Sequence, residues 1–394
     1  MGFVAIGLAA VTGLVFLVWS SRHFLIWRER RTGFALTGEH PGPPADPPRV
    51  SVLVAAKDEA ENIETCLRTM LEQDYPNFEL IVCDDRSEDG TGAIADRIAA
   101  EDDHVRVVHV RDLPAGWAGK NNAMRNGIAL AGGEWICMID ADCRQTSRRT
   151  LSVAVQYALD TGADMLSVLP QLEMRGFWEN VIQPVCSGVM MIWFHPDKVN
   201  DPAQRNAYAN GAFMMIRRST YEAIGRHEAV KDKLNEDMHM AARVKQAGLK
   251  LRVVRSSGLY FVRMYTSLRN ILRGWSRIFY GTFGTLKRLT ISLLVMFVMG
   301  LVPYIAAGLG LSLGAAGVGP AGPWWACGIV GAAAVIMQVS VIFRFYRLID
   351  ARSSLAWSYA LGSGLTCLAL VKALLKLRPG AKVTWRNTSY ATGG

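Results

Sequence analysis

Residues 49–110 read RVSVLVAAKDEAENIETCLRTMLEQDYPNFELIVCDDRSEDGTGAIADRIAAEDDHVRVVHV, and this stretch decides the fold. VSVLVAA is a β-branched run of strand length. EAENIETCLRTMLEQ places Ile63, Leu67, Met70 and Leu71 at helical spacing. FELIVCDD is a second strand, DGTGAIADRIAAE a second helix and VRVVHV a third strand. Strands alternating with helices imply an α/β domain, a mostly parallel sheet with right-handed crossovers. The next strand, EWICMID, carries Asp140 to its C-terminal end, and Asp142 follows in the motif MIDADC. Open parallel sheets bind ligands outside the carboxyl ends of their strands. Three polar clusters fall at such ends: Lys57-Asp58-Glu59, Asp84-Asp85-Arg86-Ser87 and Asp140-Ala141-Asp142.

The chemistry of these clusters is narrowed by what surrounds them. AAKDEAEN, after the first strand, holds no glycine, so a Gly-x-Gly-x-x-Gly dinucleotide turn is excluded. No Gly-x-x-x-x-Gly-Lys-Ser/Thr loop occurs either. A nucleotide bound here needs another source of positive charge for its phosphates. Mg²⁺ or Mn²⁺ held by one or two carboxylates and bridging phosphate oxygens supplies it, and Asp140 and Asp142 are the candidate ligands. Asp84 or Asp85 can accept the ring N–H of a pyrimidine such as uracil. The plainer reading of that pair is an Asx-turn before the next helix, and one residue of the two can cap while the other binds.

The 394 residues carry a formal charge of +9 and are 51% hydrophobic, with a mean hydropathy of +0.16. The apolar residues concentrate at the two ends. Residues 3–19, FVAIGLAAVTGLVFLVW, are uncharged, long enough for a membrane helix, and followed by the Arg-rich SRHFLIWRERR. No basic segment precedes them and no small-residue cleavage site follows, so a retained anchor is expected rather than a signal peptide. Residues 290–314, 324–343 and 355–376 are three further apolar runs, rich in Gly and Ala as packed membrane helices are. Arg and Lys flank these runs, which puts residues 22–289 in the cytoplasm and points the basic charge at anionic lipid headgroups. No nucleic-acid-binding motif is present. The seven cysteines are scattered, without a CxxC pair, which fits a reducing compartment.

With these motifs placed, the chain resembles a family 2 glycosyltransferase of the GT-A fold. VSVLVAAKDEAENI resembles the family's opening strand and nucleotide loop. VCDDRSEDGT is similar to its Asp-Asp-x-Ser-x-Asp-Gly-Thr segment, and MIDADC to its metal-binding Asp-x-Asp. NGAFMMIRRSTYEAIGRHEAVKDKLNEDMHMAARVKQAG resembles the acceptor loop and the Glu-Asp catalytic segment. The likeness spans roughly residues 50–280 with the four motifs in order. LPAGWAGKNNAM, residues 113–124, is similar to a segment of the lipid-glycosylating branch that includes ceramide, hopanoid and carotenoid glucosyltransferases.

The resemblance implies roles. Asp84 and Asp85 would contact the uracil and ribose of a UDP-sugar, with the main chain at Ala56 and the side chain of Glu59 in the same pocket. Lys120 would approach the nucleotide. Asp142 would be the stronger metal ligand, with Asp140 nearer the ribose or sugar. Asp237, after Glu236, would be the general base of an inverting transfer, on a helix start that also suits acidic residues. The family's Gln/Arg-x-x-Arg-Trp is broken in SLRNILRGWSRIFYG, where Gly274 separates Arg273 from Trp275. There Trp275 would cover the acceptor, and Arg273 or Arg277 would meet the pyrophosphate. Arg269, Arg273, Arg277 and Ile278 equally suit an amphipathic interfacial helix. His227 is expected to line the acceptor site, His239 to lie on a helix face, and residues 190–194, MMIWF, to meet lipid or core.

The organisation expected is an anchor (1–21), a basic segment with a Pro-rich linker (22–48), the catalytic domain (49–265), an interfacial helix (266–289), C-terminal membrane helices (290–377) and a tail (378–394). Four crossings would leave that tail opposite the catalytic domain. Its charge argues for the same side, which requires one apolar run to be re-entrant or interfacial. The function expected is metal-dependent sugar transfer from a UDP-sugar to a lipid hydroxyl. A processive polysaccharide synthase and an inactive membrane scaffold of the same fold are the alternatives.

Overall fold

The computed structural model describes residues 2–32, 34–378, 382–385 and 388–391. The strands are β1 Ala35–Thr37, β2 Val50–Ala56, β3 Phe78–Asp85, β4 Val105–Val110, β5 Trp135–Asp140, β6 Cys143–Gln145 and β7 Met165–Leu169. They continue with β8 Gln171–Leu172, β9 Phe213–Arg217, β10 Leu251–Ser257, β11 Tyr260–Val262, β12 Lys382–Trp385 and β13 Thr388–Ala391. The helices before the site are α1 Gly2–Thr32, α2 Ile63–Leu71, α3 Thr91–Glu101, α4 Gly119–Ile128, α5 Thr150–Asp160 and α6 Phe177–Trp193. After them come α7 Pro196–Asn200, α8 Arg218–Ala223, α9 Glu236–Gln246, α10 Leu268–Phe283, α11 Leu286–Gly300, α12 Val302–Ala315, α13 Ala321–Leu348 and α14 Tyr359–Leu375.

Eight strands form one sheet in the order β1-β10-β7-β9-β5-β2-β3-β4. Its pairs are parallel except those made by β9, which runs antiparallel to β5 and β7. The chain winds outward from β2 through β3 to β4, then returns to place β5 on the other side of β2. That reversal leaves a crevice above the carboxyl ends of β2 and β5. Both faces of the sheet are covered, so β2 reads as a continuous apolar run, with Val50, Val52, Leu53 and Val54 all fully buried. Each such side chain contributes about 1.5–3 kcal/mol over an exposed one.

The segment leading into the Pro-rich stretch packs on the domain. Ala35–Thr37 adds to the sheet edge beside β10, and Leu36 is buried in the core. The Arg149 guanidinium donates to the carbonyls of Gly38, His40 and Gly42. Prolines remove donors, so this segment packs through its carbonyls instead.

Among the described residues, three helical segments are long and apolar enough to cross a membrane: Gly2–Arg28, Ala321–Leu348 and Ser353–Leu375. The run expected as one span over 290–314 is two helices, α11 and α12, bent by 41° where they meet; Pro303 opens the second. α12 and α13 approach closely because glycines face each other, a Cβ at Gly328 falling 2.7 Å from the Leu311 nitrogen. α14 lies along α6 and α10. All seven cysteines are free thiols. About half of the tail expected over 378–394 lies outside the described residues, which there comprise the Arg378 end and the β12–β13 hairpin.

Candidate active site

Sheet register builds the cradle. Ala55 of β2 stands opposite Asp140 of β5, and Ala56 opposite Asp84 of β3. Beyond the strand ends two loops clamp each other. The backbone N–H of Asp58 donates to Ser87 Oγ at 3.0 Å, and that of Glu59 to Thr91 Oγ1 at 2.8 Å. The Ala60 N–H donates to Asp89 at 2.9 Å. Lys57 adds its ammonium to the carbonyls of Asp85 and Arg86. Asp58 and Arg86 both adopt positive φ, at 53° and 57°, which tightens both turns at a cost the clamp offsets.

Neighbouring residues of a strand face opposite sides, and here that separates Asp84 from Asp85. Asp84 accepts from the Ser87 N–H at 3.3 Å and sits 3.0 Å from His109 Nδ1. It is not among the residues lining the cavity, and it caps its own turn. Asp85 does line the cavity and is held by Arg86 at 2.8 Å. Ala56 and Glu59 line it as well.

The second half of the site assembles around Lys120, in the first turn of α4. Its ammonium lies 2.6 Å from Asp140 and 2.8 Å from Glu236. It thereby ties the end of β5 to the start of α9. Burial works against the Lys120 charge, but Asp140 and then Glu236 raise its pKa well above the ordinary lysine value. The next two residues fix the lysine in place. Asn121 donates to the carbonyls of Val230, Lys231 and Lys233, and Asn122 to that of Asp112. The GKNNAM segment therefore carries one reaching residue and two anchors.

Asp237 follows Glu236 and accepts from the Gly211 N–H at 2.9 Å. Burial first, then the Glu236 charge, push its carboxyl up to about 7, while Lys120 and two backbone N–H donors oppose the rise. Gly211 lies against this group: an added Cβ would sit 3.0 Å from Lys120 Nζ, 3.5 Å from Glu236 and 3.6 Å from Asp237.

Asp85, Lys120, Asp140, Asp142, Glu236 and Asp237 all line a single cavity of about 1410 Å³. Arg273 and Trp275 of α10 line it too, as do Met190, Met191 and Phe194 of the stretch read as lipid or core. His227 differs from its expected place at the acceptor. It is fully buried beneath α4, 2.7 Å from the Tyr221 hydroxyl, and burial lowers its pKa to about 3. It is a neutral core residue. His239 is partly exposed on α9. Among the described residues no group of three or more His, Cys, Asp or Glu side chains is arranged to hold a metal.

Sequence reasoning missed Asn235, whose amide donates to Thr282 of α10 at 2.9 Å and couples that helix to the catalytic segment. It also missed Lys372 and Lys376, cavity-lining cations on α14. Their signal was two lysines at i, i+4 closing an otherwise apolar run.

The comparisons agree with this architecture. The mannosyltransferase PcManGT of Pyrobaculum calidifontis, solved in complex with GDP-Man and Mn²⁺, superposes with a TM-score of 0.53 at 19% identity, over 94% of this chain and 98% of that one. The molecule thus has the GT-A fold. The 4,4'-diaponeurosporenoate glycosyltransferase of Staphylococcus aureus (strain MRSA252) is 24% identical over 267 residues, 67% of this chain and 69% of the relative. Residues 51–225 match the family described as Glycosyl transferase family 2, and that stretch of the chain is a family 2 glycosyltransferase domain.

Proposed function

We propose that this enzyme moves a sugar from a UDP-sugar to the hydroxyl of a membrane lipid at the cytoplasmic face, inverting the anomeric carbon. One observation carries the reading. The strand-end carboxylates, the half-buried Asp237 and the apolar side chains Phe345 and Leu348 of α13 line the same cavity. A polar donor and an apolar acceptor can therefore meet at one carboxylate. The relative named above acts on 4,4'-diaponeurosporenoate, which supports an apolar acceptor here. Arginines at the cytoplasmic ends of the apolar helices support the membrane face.

In this reading Asp85, the Ala56 main chain and Glu59 hold the uridine. Asp140 and Lys120 lie beside the ribose and sugar, and Arg273 and Trp275 close the cavity from α10. The pair Asp140 and Asp142 fits Mg²⁺ or Mn²⁺, hard ions that take one or two carboxylates and complete their shell with phosphate oxygens and water. When bound, the ion supplies charge neutralisation to the departing diphosphate. Asp237 takes the acceptor proton as the new C–O bond forms and the bond from C1 to the UDP oxygen breaks.

The test is to incubate membranes holding the enzyme with radiolabelled UDP-glucose, UDP-galactose and UDP-GlcNAc and to extract the lipids. Labelled lipid that disappears with Asp237→Asn is expected. A variant transferring at the parental rate removes Asp237 as base, and label in long polymer instead of lipid removes the acceptor class.

A further inference from the structure

The cavity has two electrical ends. Its acidic side chains, Glu59, Asp85, Asp140, Asp142, Glu236 and Asp237, belong to the cradle and the start of α9. Away from them, where α10 packs on α14, the lining is cationic: Arg269, Arg273 and Arg277 at successive turns of α10, Lys372 and Lys376 at successive turns of α14. Among the described residues no carboxylate pairs with Arg269, Arg273, Lys372 or Lys376. The group is nonetheless organised. Lys376 Nζ donates to Ser276 Oγ at 2.8 Å, and that hydroxyl donates to the Arg273 carbonyl at 2.9 Å. Burial, then the charges of Arg277, Arg273 and Lys372, bring Lys376 down to about 8. Holding Arg269, Arg273, Lys372 and Lys376 together with no carboxylate paired to them is a standing cost that an anion relieves.

The wall beside this cluster is apolar: Phe345 and Leu348 of α13, Ile349 just after it, and Leu375 of α14. A diphosphate gains nothing from such a wall, whereas an alkyl chain does. The spacing along α10 is also fixed. Ser276 precedes Thr282 by six residues, about 9 Å of helix, and Thr282 is bonded to Asn235 beside the catalytic pair.

We propose that Lys372 and Lys376, with Arg269 and Arg273, form an anion subsite that holds an acidic group of the acceptor, so that the acceptor is an anionic amphiphile. Its acid group sits on the order of 10 Å from the hydroxyl that reacts at Asp237, and its chain lies along α13 and α14. This rests on the lipid-acceptor reading above and names its substrate class.

Full-length enzyme in a neutral detergent is titrated with radiolabelled dodecyl phosphate, and in parallel with UDP and Mn²⁺. Lys372→Gln/Lys376→Gln is expected to weaken dodecyl phosphate binding about tenfold or more, the scale of one lost charge-assisted hydrogen bond. UDP affinity stays at the parental value, which also shows that the variant folds. Lys372→Arg/Lys376→Arg is expected to restore binding. Equal dodecyl phosphate affinity in parent and Gln variant overturns the subsite. A parallel loss of UDP affinity overturns it too, because the cluster then serves the donor. Displacement of dodecyl phosphate by inorganic phosphate at equal concentration overturns the amphiphile. A parent that binds dodecyl phosphate but not UDP leaves the subsite standing and removes the glycosyl-transfer reading instead.

Discussion

In the proposed reaction Asp237 takes the acceptor proton. Half-buried and next to Glu236, its carboxyl is pushed up to about 7, and a base with that pKa is well matched to neutral pH. The sign follows directly: the carboxylate form is lost as pH falls through 7, so kcat/KM is expected to drop about tenfold per unit below that point. A rate profile from pH 5 to 9 reads the limb. Asp237→Asn should lower transfer by about 10²–10⁴-fold while UDP binding, measured by calorimetry, is retained. Lys120 opposes the rise at Asp237, so Lys120→Met is expected to shift the limb to higher pH. It should also lower the unfolding temperature, since Glu236 is left buried without its partner. A limb that stays in place in Lys120→Met would separate the lysine from the base.

At the scale of elements, α10 explains the broken Arg-Gly-Trp pattern. Gly274 faces the Tyr265 ring so closely that an added Cβ would enter it, and Arg277 bonds the same tyrosine hydroxyl at 2.9 Å. Any larger residue pushes α10 off this seat. Gly274→Ala is expected to cost about 1–3 kcal/mol, seen as a lower midpoint in thermal unfolding, and to weaken transfer because Arg273 and Trp275 move with the helix. What was legible in the sequence follows the same logic. Strand–helix alternation and carboxylates at strand ends were readable because both are local patterns, and β2, α2, β3, α3, β4, β5 and α9 stand where those patterns put them. For Asp84 and Asp85 the sequence allowed that one caps while the other binds but did not say which; alternation along the strand puts Asp85 toward the cavity. β1 was missed because three residues ahead of a Pro-rich stretch carry no periodicity; pairing with β10 makes them a strand. His227 looked like a site residue only because sequence does not show which face of a loop is buried.

For the whole molecule, the unresolved count of crossings has a physical resolution in α14. Apolar composition alone cannot tell a lipid neighbour from a protein one. Half of the Ser353–Leu375 window is buried against protein, compared with 22% for the α1 window. Its contacts run along the catalytic domain from end to end. The Arg352 N–H bonds Asn180 at the start of α6, Thr366 meets Cys186 further along the same helix, and Lys376 reaches Ser276 of α10. These contacts argue that the Ser353–Leu375 segment stays with the protein, which would leave α1, the bent α11–α12 pair and α13 as the candidate crossings and put Arg378 on the side of the sheet domain. Glu88→Cys, Ala316→Cys and Arg378→Cys, each at an exposed position, test this with a membrane-impermeant maleimide on sealed vesicles. Six of the seven native cysteines are buried and the seventh is only partly exposed, so background labelling is low. Positions 88 and 378 are expected to react from one side and position 316 from the other. Labelling of 378 together with 316 would mean that α14 crosses after all, and the cationic wall it lends to the cavity would have to be rebuilt from α10 alone.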